Sequence, residues 1–445
     1  MVPSRDRCAD LSCWAGGLKL SLRLQHWVWR TGVIGGLCLV APALGQSLAR
    51  NGDGAKADND RLVAGTYPAD PVLSSGAGLD EPYNAAVDID WSVALRGTYT
   101  KFSGGERFDT RLVPSVSLDH TGSRSNLKGN GSADIVRSNQ GAVDVSALRL
   151  SGSMDYALDR DTILTGGGRF ALSREVAGTP GVASTVAIAP QTISGGGDVG
   201  VTRQFGKFNI GVTGSADRYV YGATTLTSGA VVDNADQDVW ALDAGLRVGF
   251  QITPIFEVFG AAAVGRDVFD RPSTSLGLRP DATTTSLEAG VTGRWSEVLE
   301  ATASTGITMR RFDAASLGEV TTQTYDAQVI FRPDPTMRMT LGLATTVSPP
   351  GPDGAGTTRI GYGANAEIAY TVNSWLALRA LADWNRASFV GSSTTESGYG
   401  WGAGGDYKLN AHTALTGDYN YDQFESSANG AQDAHQVTFG VTLSR

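Results

Sequence analysis

The alternation of apolar and polar side chains is the first signal in this chain, and it is clearest in VDIDWSVALRGTY, residues 87–99. Val87, Ile89, Trp91, Val93, Leu95, Gly97 and Tyr99 fall on one parity, and Asp88, Asp90, Ser92, Ala94, Arg96 and Thr98 on the other. A strand sends successive side chains to opposite faces, so this segment has one greasy face and one wet face. The pattern returns in Val239 to Ile252, Val298 to Met309 and Gly398 to Leu409. It is weakest in Leu127 to Ile135, diluted by glycine, and in Val320 to Arg332, whose first half is mostly threonine. About eighteen such segments (16–18) run to the C-terminus, which predicts an all-β, transmembrane, antiparallel up-and-down β-barrel.

The connections support this. Tight ones occur at Gly206-Lys207, Thr253-Pro254, Ser296-Glu297, Pro333-Asp334-Pro335, Val372-Asn373-Ser374 and Asn410-Ala411-His412. Longer ones span 175–191, 222–237, 270–281, 349–357 and 425–433, alternating with the tight ones. Outer-membrane barrels turn tightly on the periplasmic side and loop widely outside. Aromatic residues cluster near both ends of the strands. Phe205, Phe208, Phe250, Phe256, Trp295, Phe331, Tyr370 and Tyr407 lie near tight turns; Tyr99, Tyr221, Phe269, Phe312, Trp384, Tyr421 and Phe424 lie near long loops. Two interface girdles are the expectation. The loop at 175–191 is partly apolar through Val182, Val186, Ile188 and Pro190, and either folds into the pore or lies on the rim.

Residues 1–45 read as a signal peptide, with Arg23 and Arg30 ahead of the apolar run Gly32 to Leu44 and small residues at Ala43 and Gly45. Residues 46–83, with Pro68, Pro71 and Pro82, read as a flexible periplasmic extension, and 84–445 as the barrel. Cys8, Cys13 and Cys38 all lie in the leader, so the mature chain offers no thiol chemistry. The leader holds five Lys or Arg against two Asp, and its removal takes the net charge from −9 to −12. An acidic chain lacks the basic footprint of a nucleic-acid binder.

The wet parity carries charges of both signs: Arg96, Arg149, Arg169, Arg247, Arg294, Arg310, Arg338 and Arg379, with Asp243, Glu257, Glu288, Glu367 and Asp383. Such a set cannot face hydrocarbon. It predicts a water-filled, pore-lining face with weak ion selectivity. Phe259, Trp375 and Tyr219 are the main aromatics expected on that side.

Other motifs are weaker. Gly195 to Gly200 fits GxGxxG, but it sits within an alternating strand with no helix after it, so glycine here relieves crowding. Asp233-Asn234-Ala235-Asp236-Gln237-Asp238 lacks the glycine and distal glutamate of a calcium loop and reads as a solvated loop. His120, His412 and His435 are not grouped with a nucleophile in the sequence. No catalytic residue, cofactor or metal site is expected.

VDIDWSVALRGTY, RLVPSVSLDH, WALDAGLRVGFQITPIFEVFGAAAVGR and HQVTFGVTLSR, within residues 84–445, resemble the outer-membrane barrels of the beta-barrel porin 2 type, often associated with exopolysaccharide production. The chain departs from the usual aromatic end of such barrels, closing on Leu443-Ser444-Arg445. The resemblance implies a non-enzymatic outer-membrane pore that passes or exports polysaccharide. A general diffusion porin and a closed structural or adhesive barrel are the alternatives. The expected partners are outer-membrane lipid and lipopolysaccharide, the barrel-assembly machinery and periplasmic polysaccharide-export components.

Overall fold

A computed structural model describes residues 87–138, 143–352 and 354–445. The leader, the extension and the first three residues of the expected barrel lie outside the described residues.

The strands are β1 Asp88–Phe102, β2 Gly105–Thr121, β3 Ser125–Ser138, β4 Val143–Ala157, β5 Thr162–Arg174, β6 Val186–Ile188 and β7 Gln191–Phe205. They continue with β8 Phe208–Tyr221, β9 Thr224–Leu226, β10 Val231–Val232, β11 Val239–Thr253, β12 Phe256–Phe269, β13 Ala282–Trp295 and β14 Leu299–Phe312. The last are β15 Glu319–Asp334, β16 Met337–Ser348, β17 Thr358–Thr371, β18 Leu376–Val390, β19 Thr395–Asn410, β20 Thr413–Ser426 and β21 Gly430–Ser444. Eighteen of these form one sheet, each paired antiparallel with its neighbours. β1 pairs with β2 on one side and with β21 on the other, from Ser92↔Ser444 to Phe102↔Ala434. The sheet is a closed barrel. The short β6, β9 and β10 form a separate sheet in the loops.

Closure follows from the alternation. Leu95, Val199 and Phe439 stand 55%, 65% and 69% exposed on the outer wall, while Thr98, Asp109 and Glu257 on the opposite parity are 2%, 1% and 2% exposed. So much apolar exterior belongs in lipid. The two weakly patterned segments are strands as well: β3 has hydrogen-bonded neighbours on both sides, and β15 is paired with β14 from Glu319 to Phe331.

The tight turns expected from the sequence all lie at one end, where the barrel also begins and ends; the Arg445 N–H donates to the Trp91 carbonyl at 3.1 Å. Ser296, at φ 53, and Gly206, at φ 59, take the left-handed conformation these turns need. The long loops lie at the other end, but two expectations need correction. That end also holds tight connections, 103–104 and 427–429, because the strands there run on past the expected loop starts. The expected long loop at 425–433 is therefore only three residues.

The aromatic girdles need a second correction. Tyr99, Trp384 and Tyr421 face outward, joined by Trp240, Tyr399 and Trp401. Tyr221, Phe269 and Phe312 instead turn inward and are 4%, 1% and 4% exposed. Tyr221 and Phe269 pack with Tyr219 and Val239 beneath the long loops. Phe424 also turns inward.

Candidate functional site

The candidate site is the lumen. Its walls are the inward parity of the eighteen strands, and its cavities include the following pair. One, of ≈190 Å3, lies at the loop end against β1–β5 and β17–β21. The other, of ≈450 Å3, lies against β5–β16.

Arg96, Arg149 and Asp383 line the smaller cavity; Arg169, Asp243, Glu288 and Arg310 line the larger. Arg247, Glu257 and Arg294 form an ion-pair group in which Arg247 meets Glu257 at 2.6 Å and Arg294 meets it at 3.9 Å. Arg294 also reaches Glu300 at 3.2 Å. Arg379 binds both Asp406 and Asp418. Arg338 and Glu367 lie on β16 and β17 at the tight-turn half, in register with Ala369 and Thr340 respectively. Phe259 turns inward beneath the Arg247 guanidinium, 4.1 Å from its ring centroid, and Trp375 sits in the turn before β18.

Glycine makes the longer pairs possible. Arg169 on β5 stands opposite Gly196 on β7, which stands opposite Asp217 on β8. A Cβ on Gly196 would lie 1.9 Å from an Asp217 carboxylate oxygen, so the pair closes across the space a side chain would fill. The same arrangement places Gly404 between Arg379 and Asp418, where a Cβ would lie 2.0 Å from an Asp418 carboxylate oxygen. Gly196 gives the glycine-rich GGGDVG stretch this role. It lies within β7.

Some inward arginines are left over. Arg96, Arg149 and Arg338 have no ion-pair partner among the described residues, and the Arg96 Nε is buried without an acceptor. Arg96 lies over Gly440, whose Cβ would stand 2.7 Å from its Cγ.

The loop at 175–190 leans across the mouth, and this resolves the two expectations for it. The Arg107 guanidinium donates to the Ala177 carbonyl at 2.8 Å. Gln432, before the end of the barrel, accepts the Gly181 N–H at 2.8 Å and donates to the Val182 carbonyl at 3.0 Å. Val182, Val186 and Ala189 pack into a small core with Ala183 and Leu226. The apolar residues thus hold the loop together, while Thr179 and Pro180 roof the smaller cavity. Sequence reading missed Arg107 and Gln432, since their partners lie 70 and 250 residues away.

The acidic loop is spent on structure. Asp236 accepts the Thr274 N–H at 2.7 Å, and Asp238 accepts the Tyr221 N–H at 2.8 Å. Asp238 is pushed above the usual carboxylate range by burial. No cluster of three or more metal-ligating side chains occurs among the described residues. His412 bonds the Ser444 carbonyl at 3.1 Å and His435 the Tyr419 hydroxyl at 2.8 Å, on separate parts of the wall.

The model of the family described as "Putative beta-barrel porin 2" matches residues 96–445, nearly the whole barrel. The chain belongs to this family. The porin is similar in structure to OpdL of Pseudomonas aeruginosa, at 13% identity and TM-score 0.40 over 80% of this chain and 99% of that one. It is similar to OpdK of the same organism, at 13% identity and TM-score 0.41 over the same shares. OccAB4 of Acinetobacter baumannii gives 10% identity and TM-score 0.40, over 80% of this chain and 98% of that one. No curated protein matches the porin significantly. Barrel and family together make it an outer-membrane porin-like pore.

Proposed function

We propose that the porin passes polysaccharide across the outer membrane without catalysis, with the loop at 175–190 as the narrowing of the path. One observation carries this reading: inward charges are mostly neutralised in cross-strand pairs, among rows of hydroxyls such as Thr98, Thr292, Ser304 and Thr308. A wall of hydroxyls and paired charges exchanges hydrogen bonds with a sugar and grips no single charge strongly. The family resemblance supports polysaccharide as the cargo.

The loop's present position favours a second reading, a diffusion porin for small hydrophilic solutes, because it leaves only the smaller cavity beneath it. Single-channel recording of the detergent-extracted protein in planar bilayers separates them. Brief block of current by oligosaccharide, growing with chain length, supports polysaccharide passage. Steady current blocked by no sugar supports the diffusion porin, and a folded but silent barrel refutes both.

A further inference from the structure

One seam of the barrel is incomplete. β15 and β16 share six residue pairs, Ala327↔Leu343 to Phe331↔Met339 and Asp334↔Met337. Above them, Glu319–Asp326 and Ala344–Ser348 have no ladder between them, although each strand stays paired with its other neighbour up to that end. A side chain takes the place of part of the ladder. The Thr345 hydroxyl accepts the Tyr325 N–H and donates to the Tyr325 carbonyl, both at 3.0 Å.

The rest of the seam is closed by apolar contact. Phe312 and Val320 have inward parity, yet they pack with Ile360 and Val390, which have the outward parity of β17 and β18. Side chains of opposite parity meet in this way when the β15 edge rides over the face beside it. The packing leaves three buried hydroxyls, those of Thr324, Ser348 and Thr358, without a hydrogen-bond partner. The outer side of the seam is polar where its neighbour is greasy: Gln323 is level with Ile307, and Thr321 with Met309.

In hydrocarbon an open ladder is tolerated only where protein or water covers it. Here the larger cavity reaches the seam through Thr324, Thr346 and Ser348. We infer that the β15–β16 seam is a lateral portal between lumen and outer leaflet, and that its occupant is an amphiphile. Its polar head sits in the ≈450 Å3 cavity, among hydroxyls and the Arg310–Asp267 pair. Its acyl chain runs out through the seam along Ile307, Met309 and Leu341, which are exposed on the outer wall. A head group with hydroxyls and a chain that partitions into lipid match the two sides of this opening.

The test uses full-length protein with Cys8, Cys13 and Cys38 changed to Ser, carrying one bimane label at Thr346→Cys, Ser215→Cys or Leu341→Cys. Thr346 and Ser215 line the same cavity, at the seam and on the far wall; Leu341 faces lipid. Each variant is reconstituted into phosphatidylcholine with and without bromine on its acyl chains, after heat-modifiable migration has shown that it folds. The portal predicts that the Thr346 label loses as much emission to brominated chains as the Leu341 label, while the Ser215 label keeps its emission. Equal emission at Thr346 and Ser215, whether both kept or both lost, overturns it. The readout needs no conduction, so it stands or falls apart from the transport reading.

Discussion

Arg96 on β1 and Arg111 on β2 are direct cross-strand partners, two like charges at one level of the inward face. Arg111 is relieved by Asp134 at 2.9 Å; Arg96 has no such partner among the described residues. Like charges directly opposite destabilise a sheet. Arg96→Gln is therefore expected to raise barrel stability by up to about 0.5 kcal/mol, measured by urea unfolding. The same change, with Arg149→Gln, shifts the reversal potential in a potassium chloride gradient toward cation preference. A stability loss on Arg96→Gln refutes the repulsion argument.

Arg379 holds two carboxylates, and it is 11% exposed against 18% for Asp406 and 17% for Asp418. Arg379→Met leaves both acids facing each other in a half-dry wall. The expected loss is about 3 kcal/mol, read from the denaturation midpoint. Adding Asp418→Asn to that variant recovers part of the loss.

The glycines between such pairs carry a prediction of their own. Gly404→Val puts an isopropyl group where the Asp418 carboxylate now crosses. It should break the Arg379–Asp418 contact and lower stability about as much as Arg379→Met does. Gly168→Val is the control, because a Cβ there meets nothing within 4 Å.

Gln432 makes two of the hydrogen bonds that tie down the mouth loop. Gln432→Ala removes both, about 1 kcal/mol each. Single-channel recordings should then show more frequent open–closed flicker, and deletion of residues 178–186 should raise the mean conductance. Unchanged traces in both would show that the loop does not narrow the path.

Asp159, in the turn between β4 and β5, accepts the Asp161 N–H at 2.8 Å and the Thr162 hydroxyl at 3.1 Å. These bonds hold its carboxyl below the usual range. A lowered folded pKa means that the contribution is present at neutral pH and fades as pH falls through that lowered value. Amide protection in residues 158–162, measured against the intrinsic exchange rate at each pH, should fall on acidification in the wild type, and Asp159→Asn should lower it at neutral pH already.

The barrel itself was legible because alternation is local: β1 and β11 announce both faces within fifteen residues each. The misplaced aromatics broke that same rule, since Phe269 follows inward Asp267 by two and Phe312 follows Arg310 by two; closeness to a loop was allowed to outweigh parity. The pairing of Arg169 with Asp217 was not legible, because it depends on the register of three strands. Neither was the open seam. Its threonines, Thr321, Thr322 and Thr324, give a strand no clear face, and what looked like a faint strand is one whose upper edge lacks a partner.

One bond in the seam that closes the barrel, Thr98 to Thr438, joins residues 340 apart in the chain. Nothing local can form it, so the seam between β1 and β21 forms only when both ends of the polypeptide are present at one place. Until then the sheet is an open ribbon with two adhesive borders, able to join a copy of itself as readily as its own far end. The last fifteen residues therefore decide whether each chain becomes a barrel or part of an aggregate. Truncation before Gly430 should produce insoluble protein rather than a narrower pore.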